Sequence, residues 1–356
     1  MGGGRVSLGS VPEPFPLLAL TQGDPAGIGP EILLKLAARH RGAEDPYLPL
    51  LVAERSALEA VRSSVPAETW ERLVFLDGPP DRARLAELPP AAVPVLDPVG
   101  RPRNLQPGRS GPDDARGALA ALDAGIELAS SGAADALVTA PVSKESIARQ
   151  ALPGFTGHTD YLAEKAGLER YGRDYLMAFL APDLRVALLS THLPLRQALD
   201  RVTEEAILEA LACLDRHAPP LPGAGGRPRI TVAGLNPHAG EGGLLGDEEA
   251  LQIAPAIAAA RSRGIDARGP ESPDSLFARA RRGELDWILA LYHDQGLIAV
   301  KTAAFGEAVN LTLGLPYLRT SVDHGTAFPI AGRNQADPNP LEHVVEVTLD
   351  LLKDRR

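Results

Sequence analysis

Three histidines stand in short, distinctive runs: Thr191-His192-Leu193-Pro194-Leu195, Asn236-Pro237-His238-Ala239-Gly240-Glu241 and Tyr292-His293-Asp294-Gln295-Gly296. Neutral imidazole is the commonest protein ligand for a divalent metal, and three protein ligands with one open position form a catalytic metal site. Each histidine follows a hydrophobic, strand-like run: Arg185 to Ser190, Ile230 to Leu235, and Trp287 to Leu291. Ligands of open α/β sheets bind beyond the carboxyl ends of strands, so three such ends opening on one crevice would gather the imidazoles. Any one of them alone reads as a loop histidine. The shared strand-end context favours metal ligation, although the spacing is irregular. Asp294 directly follows one candidate ligand, where a carboxylate can orient the imidazole or hold a water.

Other polar residues point to anions. Gly157-His158-Thr159-Asp160 places an imidazole and a hydroxyl in a loop before a helix. That suits anion binding, or a simple helix cap by Thr159. Lys301 follows the strand-like run Leu297 to Val300, Asn310 ends Ala308-Val309, and Arg319 ends Pro316-Tyr317-Leu318. Together at strand ends they would clamp a phosphate and a carboxylate; singly they would be solvated surface. Asp274 lies in Gly269 to Phe277, a turn entering a helix, where capping is its ordinary role. Asp247, Glu248 and Glu249 mark a helix start, as the helix dipole favours. The loop Thr21 to Glu31 carries Gly23, Asp24, Gly27 and Gly29 between a strand and a helix that Pro30 opens. Free N–H groups there would favour an anion or a polar cofactor edge, against the alternative of a plain βα turn. No G-x-G-x-x-G follows a strand.

The elements that must position these residues alternate between strand-like and helix-like, which predicts an α/β fold with a mostly parallel sheet. Strands are expected at Pro16–Leu20, Leu48–Val52, Ala92–Leu96 and Ala136–Ala140, and helices at Glu31–His40 and Asp113–Ser130. Residues 97–114 read as a connection, 218–228 as a Pro/Gly surface loop, and 1–13 as a disordered leader. At 356 residues and 44% hydrophobic content the chain can build two domains. A net charge of −10 argues against nucleic acid as a partner. The one cysteine, Cys213, reads as a packed side chain, in keeping with a reducing cytoplasm. No apolar run approaches the ~20 residues that span a bilayer, so no membrane partner is expected.

On these residues the chain resembles the 4-hydroxythreonine-4-phosphate dehydrogenase family of vitamin B6 biosynthesis. The matching runs are TQGDPAGIGPE (21–31), TAPVSKE (139–145), GHTD (157–160), THLPL (191–195), GLNPHAGEGG (234–243), GPESPDSLF (269–277), YHDQGLIAVK (292–301) and VNLTLGLPYLRTSVDHGTA (309–327). The resemblance implies a two-domain isocitrate/isopropylmalate dehydrogenase-like fold. Residues 14–140 plus 305–356 would form the terminal, cofactor-side domain, and 141–304 the middle domain with the metal site and dimer interface. It also implies a homodimer whose active sites lie in the cleft, with metal ligands contributed across the interface.

By resemblance His192, His238 and His293 hold the metal, one divalent Zn, Mg or Co per site. His158, Thr159, Lys301, Asn310 and Arg319 bind the substrate. The run Asp323 to Gly332 is similar to an adenine-nucleotide loop, which places His324 and Gly325 at an NAD or NADP cofactor along with the first glycine-rich loop. Pro329 stands where that loop usually has an acid, and Ser143 where the family often has histidine or asparagine. The implied reaction is metal-dependent oxidation of 4-phosphooxy-L-threonine to 2-amino-3-oxo-4-phosphooxybutanoate, which decarboxylates to 3-amino-2-oxopropyl phosphate. Asp274, Asp294 and Lys144 are the candidate proton acceptors. The alternatives are a dehydrogenase of D-threonate or D-erythronate 4-phosphate, an acyl-phosphate transferase, and a non-catalytic phosphometabolite sensor.

Overall fold

The computed structural model describes residues 15–219 and 227–353. The leader expected over 1–13 lies outside them, as do residues 220–226 of the Pro/Gly loop. The strands are β1 (Leu17–Thr21), β2 (Leu48–Val52), β3 (Leu73–Leu76), β4 (Val93–Leu96), β5 (Ala136–Thr139) and β6 (Leu176–Ala181). They continue as β7 (Leu184–Leu188), β8 (Ile230–Ala233), β9 (Ala267–Glu271), β10 (Trp287–Ala290), β11 (Val309–Leu313) and β12 (Leu318–Val322). All belong to one 12-stranded sheet, in the order β3-β4-β2-β1-β5-β12-β11-β6-β7-β10-β8-β9. Among the described residues, only the strand pairs β11–β12, β11–β6 and β6–β7 are antiparallel. The rest are parallel, and inner strands such as β1, β2 and β10, buried on both faces, read as nearly continuous apolar runs.

Burial follows the period of two. Leu18 and Leu20 of β1 enter one core cluster, while Leu17 and Ala19 enter the cluster on the opposite face. The sheet changes character where β12, parallel to β5, meets the antiparallel strand β11. Chain from both proposed domains therefore meets in one continuous sheet, and the seam lies where β11 pairs with β6.

The helix expected near Asp113 spans Pro112–Ser130, with Gly111 N donating to Asp114 Oδ2 at 2.8 Å. The 97–114 connection is anchored rather than loose. Arg103 reaches inward to Glu54 (2.5 and 3.0 Å) and Asp114 (2.6 Å), and Gln22 Nε2 joins Glu54 at 3.1 Å.

Two expectations are corrected. Leu297–Val300 is not a strand, and Lys301 lies in the last turn of the helix His293–Ala303. Leu297 and Val300 are buried while Ile298 is exposed, the spacing of one helical face. Gly296 permits this packing, because a Cβ there would meet Leu188 at 2.7 Å and Val186 at 2.9 Å. Asn310 and Arg319 are not at strand ends either; they lie inside β11 and β12.

Candidate active site

The carboxyl ends of β7, β10 and β8 lie side by side, because β10 pairs in parallel with both neighbours. Thr191 and His192 follow β7, and His293 opens the helix after β10. The two imidazoles face each other with ring centroids 5.4 Å apart. His293 Nδ1 lies 2.8 Å from Asp294 Oδ1, the orienting contact expected of that carboxylate. Its Nε2 edge is then the one available to a ligand. Burial, Lys144 and His293 hold the His192 pKa below its ordinary value, which favours the neutral ring that metal ligation requires.

His238 is not brought to this pair. It follows β8 but sits exposed on a turn where His238, Ala239 and Glu241 take φ values of 53, 53 and 45°. These are costly for residues with a Cβ and need outside support. Glu249 supplies it by accepting hydrogen bonds from Leu235 N and Asn236 N at 2.7 Å each, and from Asn236 Nδ2 at 2.9 Å. Burial opposes ionisation of Glu249, yet these bonds from Asn236 and Leu235 leave its pKa lowered. The acid expected to serve a helix dipole thus buckles the His238 turn. Gln295 ties the same two strand ends, accepting from Leu291 N (2.7 Å) and donating to Gly234 O (2.8 Å). Among the described residues no group of three or more His, Cys, Asp or Glu forms a metal-holding cluster.

The histidine pair opens onto a cavity of about 420 Å³ that also takes in Lys144, His158, Thr159, Lys301, Asn310, Arg319, His324 and Gly325. Arg319 is 1% exposed. Its Nη1 donates to Asn310 Oδ1 (3.2 Å) and Thr312 Oγ1 (3.1 Å), and its Nη2 to Thr139 Oγ1 (2.7 Å). Each of these acceptors is neutral, and Nε has no protein partner. Burial alone pushes the guanidinium down to about 9. Nearby, His158 Nε2 is buried without a partner, and burial, Arg319 and Lys144 hold that imidazole well below its ordinary pKa. Lys144 Nζ stands 3.3 Å from His192 Nε2. Buried charge is normally paired, so this cationic end is built for an anion that the chain does not itself provide.

Two acids border the cavity. Asp160 is occupied, accepting from Thr156 Oγ1 at 2.6 Å and Tyr175 OH at 3.1 Å. Asp323 Oδ2 lies 3.2 Å from Lys301 Nζ. Burial raises the Asp323 pKa while Lys301 opposes the rise. Sequence reasoning missed Thr139, Thr312, Asp160, Asp323 and Gln295. All five lie inside the runs TAPVSKE, GHTD, YHDQGLIAVK and VNLTLGLPYLRTSVDHGTA, which were the available signal.

The remaining candidates divide. Asp274 is exposed in the first turn of the helix Pro273–Arg281 and accepts from Ser272 Oγ at 2.7 Å, outside the cavity. His324 and Gly325 line it. Gly23, Asp24, Gly27 and Gly29 are buried under the chain's own segments. A Cβ at Gly23 would fall 2.1 Å from Pro141 O, one at Gly27 3.1 Å from Thr326 O, and one at Gly29 1.8 Å from Gln22 O. The loop amides of Gln22, Asp24, Ala26, Gly27 and Ile28 are bonded to Val52 O, Pro141 O, Asp24 Oδ1, Asp24 O and Thr326 O. The N–H groups expected to be free are used internally at these positions.

The model of the PdxA family, the pyridoxal phosphate biosynthetic protein, matches residues 48–348. A 4-hydroxythreonine-4-phosphate dehydrogenase of Acidithiobacillus ferrooxidans is 44% identical over 342 residues, covering 96% of this chain and 98% of its own. One from Aromatoleum aromaticum is 42% identical over 345 residues, with 96% and 98% covered. Among solved structures, the Klebsiella pneumoniae 4-hydroxythreonine-4-phosphate dehydrogenase superposes with a TM-score of 0.79 at 36% identity, over 95% of this chain and 99% of that one. A terephthalate 1,2-cis-dihydrodiol dehydrogenase from Burkholderia xenovorans gives 0.59 at 27% identity, over 94% and 97%.

Proposed function

The chain belongs to the PdxA family of pyridoxal phosphate biosynthetic proteins, and we propose that it oxidises the C3 hydroxyl of 4-phosphooxy-L-threonine with NAD or NADP. The product, 2-amino-3-oxo-4-phosphooxybutanoate, carries a carbonyl β to its carboxylate and loses carbon dioxide to give 3-amino-2-oxopropyl phosphate. The observation that carries this reading is a single cavity with a histidine pair at one end and an anion-deficient arginine at the other.

Arg319, His158, Thr159 and Asn310 receive the phosphate, and Lys301 swings between Asp323 and the substrate. His192 and His293, with His238 from a second copy of the chain, would hold a divalent ion such as Zn, Mg or Co. When bound, that ion supplies Lewis-acid polarisation of the substrate oxygen, and the nicotinamide supplies the hydride acceptor. His324 and Gly325 border the cofactor's side of the cavity. Of the three candidate proton acceptors only Lys144 lines the cavity. Lys144 therefore takes the C3 hydroxyl proton. Asp294 orients His293, and Asp274 supports the exposed turn of His238.

Exposed apolar side chains support the homodimer. Each histidine-bearing segment carries them: Leu195 (59%) beside His192, Leu244 (82%) beside His238, and Ile298 (66%) and Phe305 (83%) on and just after the helix of His293. A second copy covering them would bring a foreign His238 turn towards the His192–His293 pair.

The test is cofactor reduction by purified, metal-loaded enzyme with 4-phosphooxy-L-threonine, D-threonate 4-phosphate and D-erythronate 4-phosphate in competition. Preference for the amino substrate is expected. Turnover confined to the hydroxy acids would replace this reading with the sister activity.

A further inference from the structure

The run TAPVSKE contributes Lys144 to the cavity, but its first residue has no role in the chemistry described above. Thr139 is fully buried at the end of β5. Register explains what it meets. Thr139 pairs with Ser321 of β12, and Ser321 pairs with Asn310 of β11. The period of two then places Arg319, two residues before Ser321, on the same sheet face as Thr139, Asn310 and Thr312. Thr139 Oγ1 accepts from Nη2 at 2.7 Å and Thr312 Oγ1 from Nη1 at 3.1 Å, so the two hydroxyls hold different terminal nitrogens of the guanidinium.

We propose that Thr139 and Thr312 are positioning residues that fix the plane of the Arg319 guanidinium for the substrate's phosphate. A carboxylate at either place would satisfy the arginine and cancel its charge. A hydroxyl orients it and leaves the charge uncompensated, so binding strength is kept for the ligand. With Asn310 on the second Nη1 hydrogen, the two threonines leave Nε–H and one Nη2 hydrogen unbonded, the pair that grips an oxyanion in bidentate fashion. This rests on the reading that Arg319 binds the phosphate, and it names the residues on which that contact depends.

The test compares Thr139→Val, Thr139→Ser, Thr312→Val and Arg319→Gln in the full-length, metal-loaded enzyme. KM and kcat are measured with the phosphorylated substrate, and the rise in melting temperature with inorganic phosphate alone. Valine keeps the shape and removes the acceptor. Each valine variant should raise KM about tenfold with little change in kcat, and should shrink the phosphate-induced shift. Thr139→Ser should restore both. The double variant Thr139→Val/Arg319→Gln should be no worse than Arg319→Gln alone. If Arg319→Gln weakens phosphate binding while both valine variants behave as wild type, the positioning role is wrong and the phosphate reading stands. If Arg319→Gln leaves KM and the phosphate shift untouched, the phosphate reading fails, and the inference with it. Should Thr139→Val fold poorly by circular dichroism, Thr312→Val and the serine variant decide.

Discussion

The ring centroids of His192 and His293 stand 5.4 Å apart, although the two residues lie on different strand ends and are joined through no shared hydrogen bond. Two imidazoles in that relation bind a metal only with further ligands, and His238 of the same chain is exposed elsewhere.

A site shared between copies has a specific genetic signature. His192→Ala and His238→Ala homodimers should each lose bound metal, measured by elemental analysis, and lose turnover. Mixed dimers of the two should recover one intact site of the two, because one of the sites then draws His192 and His293 from one chain and His238 from the other. No recovery in verified mixed dimers would place all three ligands within one chain.

Lys301 pairs with Asp323 at 3.2 Å and lines the cavity. Lys301→Ala should lower kcat/KM for the phosphorylated substrate by about tenfold or more, as loss of a charge-assisted contact worth roughly 1.5–3 kcal/mol requires. An unphosphorylated analogue should lose far less. Equal losses on both substrates would assign Lys301 to some other step.

Asp24 is fully buried, accepts from Ser110 Oγ at 2.9 Å and from Ala26 N at 3.0 Å, and has its pKa raised from 3.8 to about 6 by burial. The folded chain therefore holds a proton that the unfolded chain releases. The stability from this group is complete below the unfolded value of 3.8 and is lost as pH rises through about 6. Denaturant titrations should show Asp24→Asn gaining on wild type across that window, by about 3 kcal/mol. Parallel curves for the two proteins would mean that the carboxyl titrates normally.

Pro329 lies exposed in the short turn Phe328–Ile330, next to the loop of His324 and Gly325. It can neither accept a hydrogen bond from a ribose hydroxyl nor repel a 2′-phosphate. Wild type should accept NADP as well as NAD, and Pro329→Asp should shift the kcat/KM ratio towards NAD. Orders-of-magnitude rejection of NADP by wild type would show that another residue sets the choice. Asp337 is bound to Asn339 N at 3.0 Å and is the nearby acid to replace next.

The sequence alone determined the alternation of elements, the parallel character of the sheet and the presence of three histidines after apolar runs, because each leaves a local signature. Burial on both sheet faces makes β1, β7, β8 and β10 predominantly apolar, and chemistry-bearing residues follow where such runs stop. Local pattern misread Leu297–Val300, since a short apolar run fits a buried strand or one face of a helix equally well. It also left the glycines of the first loop open between ligand contact and close packing. Only the tertiary structure decided that Gly23, Gly27 and Gly29 meet their own chain, and that His238 stands apart from His192 and His293. It alone decided that Thr139 meets Arg319 across 180 positions of sequence. That meeting depends on β12 lying between β5 and β11, a matter of strand order and register, and periodicity along a single segment carries no record of which segment will become its neighbour.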